Sequence, residues 1–94
     1  MYKLPVDYTA LTPYERRKVR EQYIKEQNNL CFYCNLPLDK EVPDNLKTKW
    51  INPKLFPENF FKYPIHLQHD HDTNMTEGAV HNYCNAVMWQ HEGR

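Results

Sequence analysis

Four side chains at two matched spacings set the first question. Cys31-x-x-Cys34 is a knuckle spacing that lets two thiolates reach one ion, and His81-x-x-Cys84 places an imidazole and a third thiol three residues apart. The chain holds 3 cysteines, so this grouping uses every thiol and completes a Cys3His set, a normal structural zinc site. Cysteine pairs at such spacing read as metal ligands in a reducing compartment. The competing reading is buried thiols beside a surface histidine. Closed by four protein donors, such a site would hold the fold and would not be the catalytic centre.

A second group follows in "QHDHDTN", residues 68–74, together with Asn85. Asn85 comes one residue after Cys84, so on a helix it points roughly 100° away from the zinc and can face back toward the first strand, which His69 ends. There His69 and Asn85 could share a second ion. Phosphate-ester hydrolysis needs a base to activate water and a hard cation to hold the scissile group. Histidine suits the base because it titrates near neutrality, and an amide oxygen suits Mg²⁺. The competing reading is a polar strand end with no metal.

Composition narrows the frame. At 94 residues and a mean hydropathy of −0.90, the chain is one domain with a thin core, of the size that often relies on a metal. No apolar run approaches the roughly 20 residues of a membrane span. "MYKLPVDYTA" lacks the basic start and apolar stretch of a signal peptide, so the expectation is a cytoplasmic protein with no membrane partner. The 12 basic and 12 acidic residues cancel but are unevenly placed. Residues 1–30 carry six basic and four acidic side chains, whereas residues 65–94 carry Arg94 against Asp70, Asp72, Glu77 and Glu92, with all five histidines. The first segment could meet phosphate and the second could hold cations.

The elements that must position these residues are also legible. Residues 1–11 read as an extended arm. Thr12-Pro13-Tyr14-Glu15 is a capping box with proline at the first helical position, and Val19, Tyr23 and Ile24 continue at helical spacing, predicting a helix from about Pro13 to Gln27. Its other faces carry Arg16, Arg17, Arg20 and Lys25, either a solvated surface or a phosphate-contacting one. Residues 35–64 hold five of the seven prolines and many aromatics, predicting an ordered, irregular insertion packed on the metal-bound core, or else a partner surface. "IHLQH", residues 65–69, alternates as a short strand. "DTNMTEG" reads as a turn and a second strand, and a helical pattern begins at about Ala79, with Met88 and Trp89 as packing residues.

Residues 68–85, "QHDHDTNMTEGAVHNYCN", with the upstream Cys31–Cys34 pair, resemble the HNH endonucleases, particularly the phage endonuclease VII group. His69, His71, Gly78, His81, Cys84 and Asn85 fall into that family's pattern without a gap; the N-terminal helix and the insertion are not covered. The resemblance implies an α+β fold, a small zinc-stabilised ββα-metal domain spanning 1–94. In it, 1–30 would be an arm and helix, 31–34 the zinc knuckle, 35–64 an insertion and 65–94 the core. It implies hydrolysis of DNA phosphodiesters with Mg²⁺ or Mn²⁺, in the host cytoplasm if the chain is phage-encoded. His69 would be the general base, His71 would lie near the scissile phosphate, and Asn85 would help hold the catalytic ion. A homodimer is a further expectation, since relatives act as dimers.

The chain departs from the family at three positions. His81 stands where Cys is usual, and neutral imidazole binds zinc well. Glu77 replaces an Arg common before the glycine. Gln68 replaces the usual Asp, the charged ligand of the catalytic ion, and a neutral amide is a weaker ligand for Mg²⁺. Asp70, two residues on, could substitute if the turn bends. The alternative to an active enzyme is therefore a weak or inactive HNH-fold module that binds nucleic acid or a protein.

Overall fold

The computed structural model describes residues 1–42, 44–47 and 49–92; Pro43 and Arg94 lie outside them. Helix α1 spans Pro13–Glu26, a short helix α2 spans Asp44–Lys47, strands β1 and β2 span Ile65–His69 and Thr76–His81, and helix α3 spans Asn82–Glu92. The fold is α+β, with β1 and β2 forming one antiparallel two-stranded sheet. No described helix is long and apolar enough to cross a membrane.

Helix α1 starts where the capping box predicts. Thr12 accepts from the Glu15 amide at 3.2 Å while the Glu15 carboxylate accepts from the Thr12 amide at 3.0 Å, so two otherwise orphaned N–H groups are satisfied. Val19 and Tyr23 are the buried residues of its inner face, and the Tyr23 hydroxyl bonds Thr76 at the start of β2. The arm before α1 is not loose. Thr76 donates to the Val6 carbonyl and Tyr8 donates to the Asn74 carbonyl, which lays the arm along the hairpin.

The first strand has the predicted bounds, and the second runs further than the sequence pattern suggests. Ala79 and Val80 were expected to open the helix, but both belong to β2, and α3 begins at Asn82. The cause lies across the fold. The side chain of Gln27, the residue that caps α1, donates to the Ala79 carbonyl at 3.0 Å and accepts from the Ala79 amide at 2.9 Å. Phe32 in the knuckle donates to the same carbonyl at 2.9 Å. These tertiary bonds extend the strand through residues whose own pattern favours a helix. They also bring the knuckle close over Gly78, where a Cβ would lie 2.7 Å from the Gln27 side-chain oxygen and 2.9 Å from Phe32.

The insertion packs as expected. Leu38, Val42 and Leu46 join Val19, Tyr23, Ala79, Val80 and Val87 in one buried cluster. Gln90 and His91, in the last turn of α3, donate to the Trp50 carbonyl, and Gln90 accepts from the Asn52 amide. Met88 is fully buried, whereas Trp89 is 42% exposed and meets Phe56 edge-on.

Gly78→Ala is expected to lower stability by about 1–3 kcal/mol, because neither backbone-clamped Gln27 nor the Phe32 ring can yield without loosening the knuckle. Urea unfolding of the zinc-loaded protein measures it, and an unchanged midpoint would show that the contact relaxes freely.

Candidate functional site

Cys31, Cys34, His81 and Cys84 converge, with one ligand atom from each lying within 4.8 Å of the others. Two come from the knuckle, one from the end of β2 and one from the first turn of α3, so the cluster ties the two ends of the chain together. His81 Nδ1 lies 3.4 Å from Cys34 Sγ and 3.6 Å from Cys84 Sγ. Tetrahedral bonds to zinc at the usual lengths put nitrogen and sulfur donors roughly 3.6 Å apart, so the spacing fits. The tautomer is set from outside. His81 Nε2 lies 2.9 Å from the Pro37 carbonyl oxygen, which can only accept, so Nε2 carries the proton and Nδ1 presents its lone pair.

The thiols cannot ionise independently. A hydrogen bond from Cys84 holds Cys31 down to about 4, helped by backbone amides of the knuckle. Cys84, which keeps that proton, is pushed up, and burial pushes Cys34 up. Three thiolates in one buried spot repel one another, and a cation is what allows all three to ionise. The cluster can therefore hold a metal ion such as zinc. The other four histidines, all in the acidic segment, take no part in it.

The second group is arranged differently from the sequence expectation. A register shift lies between Gln68 and His69. Gln68 pairs with Gly78, while His69 pairs with Thr76, leaving Glu77 as the extra residue on β2. His69 stacks on Tyr8 of the arm, with ring centroids 4.0 Å apart and planes 8° from parallel, and lies 4.7 Å from His71. Burial lowers the pKa of His69, and the neighbouring His71 and Arg16 lower it further. Asn85 turns its amide to His66, at 3.0 Å from Nδ1, and not to His69.

His66 is the residue that sequence reasoning missed. Its Nε2 lies 2.8 Å from the Phe60 carbonyl, again an acceptor only, so Nε2 holds the proton and Nδ1 accepts. Burial lowers its pKa, which favours the neutral ring. The atom that Asn85 offers to His66 must then be Nδ2, which leaves Oδ1 free to bind elsewhere. A signal existed: period-2 alternation puts His66 on the same side of β1 as Gln68.

Gln68 is buried, 3% exposed. Its Nε2 donates to the His69 carbonyl at 3.0 Å, with the Glu77 carboxylate at 3.4 Å. Its oxygen accepts no hydrogen bond among the described residues, and Gln68, His71 and Asn85 line one cleft of about 270 Å³. Asp70, the suggested substitute ligand, is otherwise engaged: its Oδ1 accepts from the Asp72 and Thr73 amides at 2.7 and 3.1 Å and caps the hairpin turn.

Asn85 also lines a second, larger groove of about 400 Å³ between α1 and the 57–67 segment. Arg16, Arg17 and Arg20 all face it and no acidic residue lines it; Lys25 lies elsewhere, beside Lys18 and Glu21. None of the three arginines forms an ion pair among the described residues. Such a wall attracts anions despite the zero net charge. No protein-family model, no curated protein and no solved structure matches the chain.

Purified protein is expected to carry one equivalent of zinc per chain, and excess chelator is expected to abolish its cooperative thermal transition. Co²⁺ in zinc's place should give thiolate charge-transfer absorption that weakens in Cys34→Ser. Full retention of the transition after complete metal removal would show that the apolar core suffices alone.

Proposed function

We propose that the protein is a metal-dependent HNH-type endonuclease that hydrolyses DNA phosphodiester bonds, its fold held by zinc at the Cys3His cluster. One observation carries the reading. Asn85 lines two clefts, one carrying the Gln68 amide and His71, the other a groove walled by Arg16, Arg17 and Arg20, which form no ion pair among the described residues, Arg16 also bonding the Tyr8 carbonyl and covering its ring. A cation site of oxygen donors beside a wall for phosphate would supply two of the three parts that phosphodiester hydrolysis needs, and the third, a base, would come from His69. The order β1, β2, α3, with the cluster joining β2 and α3 to the knuckle, agrees with the motif resemblance.

Each side chain then has a task. His69, whose pKa burial lowers and whose ring lies flat against Tyr8, takes the proton from the attacking water. His71 steers the phosphate, and Arg16, Arg17 and Arg20 neutralise the flanking ones. Gln68 and Asn85 offer amide oxygens to Mg²⁺ or Mn²⁺, which when bound supplies positive charge to the scissile phosphate. His66 fixes which atom of Asn85 faces outward.

A second reading, a binding module on the same scaffold, draws on one observation: the proposed ion ligands are both neutral amides, and Asp70 is spent on the turn. The two readings differ in outcome. Zinc-loaded protein is expected to nick supercoiled plasmid with Mn²⁺ or Mg²⁺, with at least a hundredfold loss in His69→Ala and a gain in Gln68→Asp. Activity confined to Gln68→Asp would favour the binding module, and no cleavage by either protein with any divalent metal would sink the enzyme reading.

A further inference from the structure

The groove beside α1 differs from a surface that only follows a duplex backbone. We infer that it cradles an unpaired nucleic-acid strand, with guanidinium groups on the phosphates and an aromatic ring under a base. This inference rests on the endonuclease reading and deepens it by naming the strand state of the substrate.

Its two kinds of lining residue argue for this occupant. Arg20 follows Arg17 by three residues and Arg16 by four along α1, so each of the two neighbours it on the helix surface, and all three line the groove. Phe60 and Tyr63 line the same groove. Tyr63 is 54% exposed, and its carbonyl accepts from the Asn82 side chain at 3.1 Å, which ties the segment's backbone to the start of α3. A positively charged groove interleaved with anchored aromatic side chains is the arrangement that binds single strands, because every base has a face to stack while a paired base shows only its edge. The space also argues against a duplex. A groove of about 400 Å³ has room for a nucleotide-sized group, whereas a double helix would rest on its rim and give Tyr63 no base face to stack on. Asn85 lines both this groove and the cleft that holds Gln68 and His71, so a strand lying in the groove runs beside that cleft.

Fluorescence anisotropy tests this with zinc-loaded full-length protein and no added divalent cation. The probes are a labelled oligodeoxynucleotide of mixed sequence, the same strand annealed to its complement, and the equivalent oligoribonucleotide. The deoxy strand is expected to bind at least tenfold more tightly than the duplex. Tyr63→Ala should weaken single-strand binding about tenfold and leave duplex binding unchanged. Arg17→Gln should weaken both and lower the slope of log affinity against log salt by about one. Both residues are exposed, and unchanged Tm and zinc content confirm that the variants are folded. Strand binding by either sugar supports the cradle, and the ribonucleotide arm tells DNA from RNA.

Duplex binding as tight as single-strand binding, or no effect of Tyr63→Ala, overturns the inference, as does failure to bind any probe at low salt. Single-strand binding without nicking activity would remove the endonuclease reading alone. Nicking without single-strand preference would remove this inference alone.

Discussion

Three thiols and an imidazole within 4.8 Å of one another are the constraint on which the remaining structure depends. The donors come from positions about fifty residues apart in the chain, so closing the cluster closes the fold. It pins the knuckle against the point where β2 becomes α3. Burial and mutual repulsion keep the thiols from ionising together, so the cluster is an unfavourable arrangement without a cation and a stabilising one with it. A chain with a mean hydropathy of −0.90 and a core of a dozen or so apolar side chains gains more from such a tie than from further packing. The Pro37 carbonyl that fixes His81 belongs to the insertion, so even the irregular segment serves the cluster.

Around it, the backbone does work that side-chain patterns do not announce. Gln27 binds both polar groups of Ala79 and acts as a missing neighbouring strand, and Phe32 shares the same carbonyl. This holds β2 extended up to His81, directly before the helix that carries Cys84 and Asn85. The register shift beside Gln68 then turns His69 to the arm and makes Glu77 the extra residue of β2. The Cys3His cluster, β2 and the start of α3, which carries Asn85, are thus contiguous.

The candidate site shows one device used twice. A backbone carbonyl, which can only accept, fixes a histidine tautomer, and the other ring nitrogen then faces a functional partner. Pro37 does this for His81 toward the cluster, and Phe60 does it for His66 toward Asn85. In the second case the effect passes one residue further, because His66 takes the Asn85 amide nitrogen and frees its oxygen. Charge is handled the same way, by placement and not by amount. The net charge is zero, yet three arginines share a groove with no acidic lining.

Local chemistry made part of this legible in the sequence. The four donors follow from residue type and spacing, the start of α1 from its capping box, and β1 from its alternation, because each rests on interactions within a few residues. The end of β2, the pairing of Asn85 with His66, the stacking of His69 on Tyr8 and the separation of Lys25 from the three arginines rest on contacts between distant segments. Spacing along the chain says which way a side chain leans from its own element. What stands opposite it is decided when the arm, the insertion and α1 pack against the hairpin, and only the tertiary structure contains that.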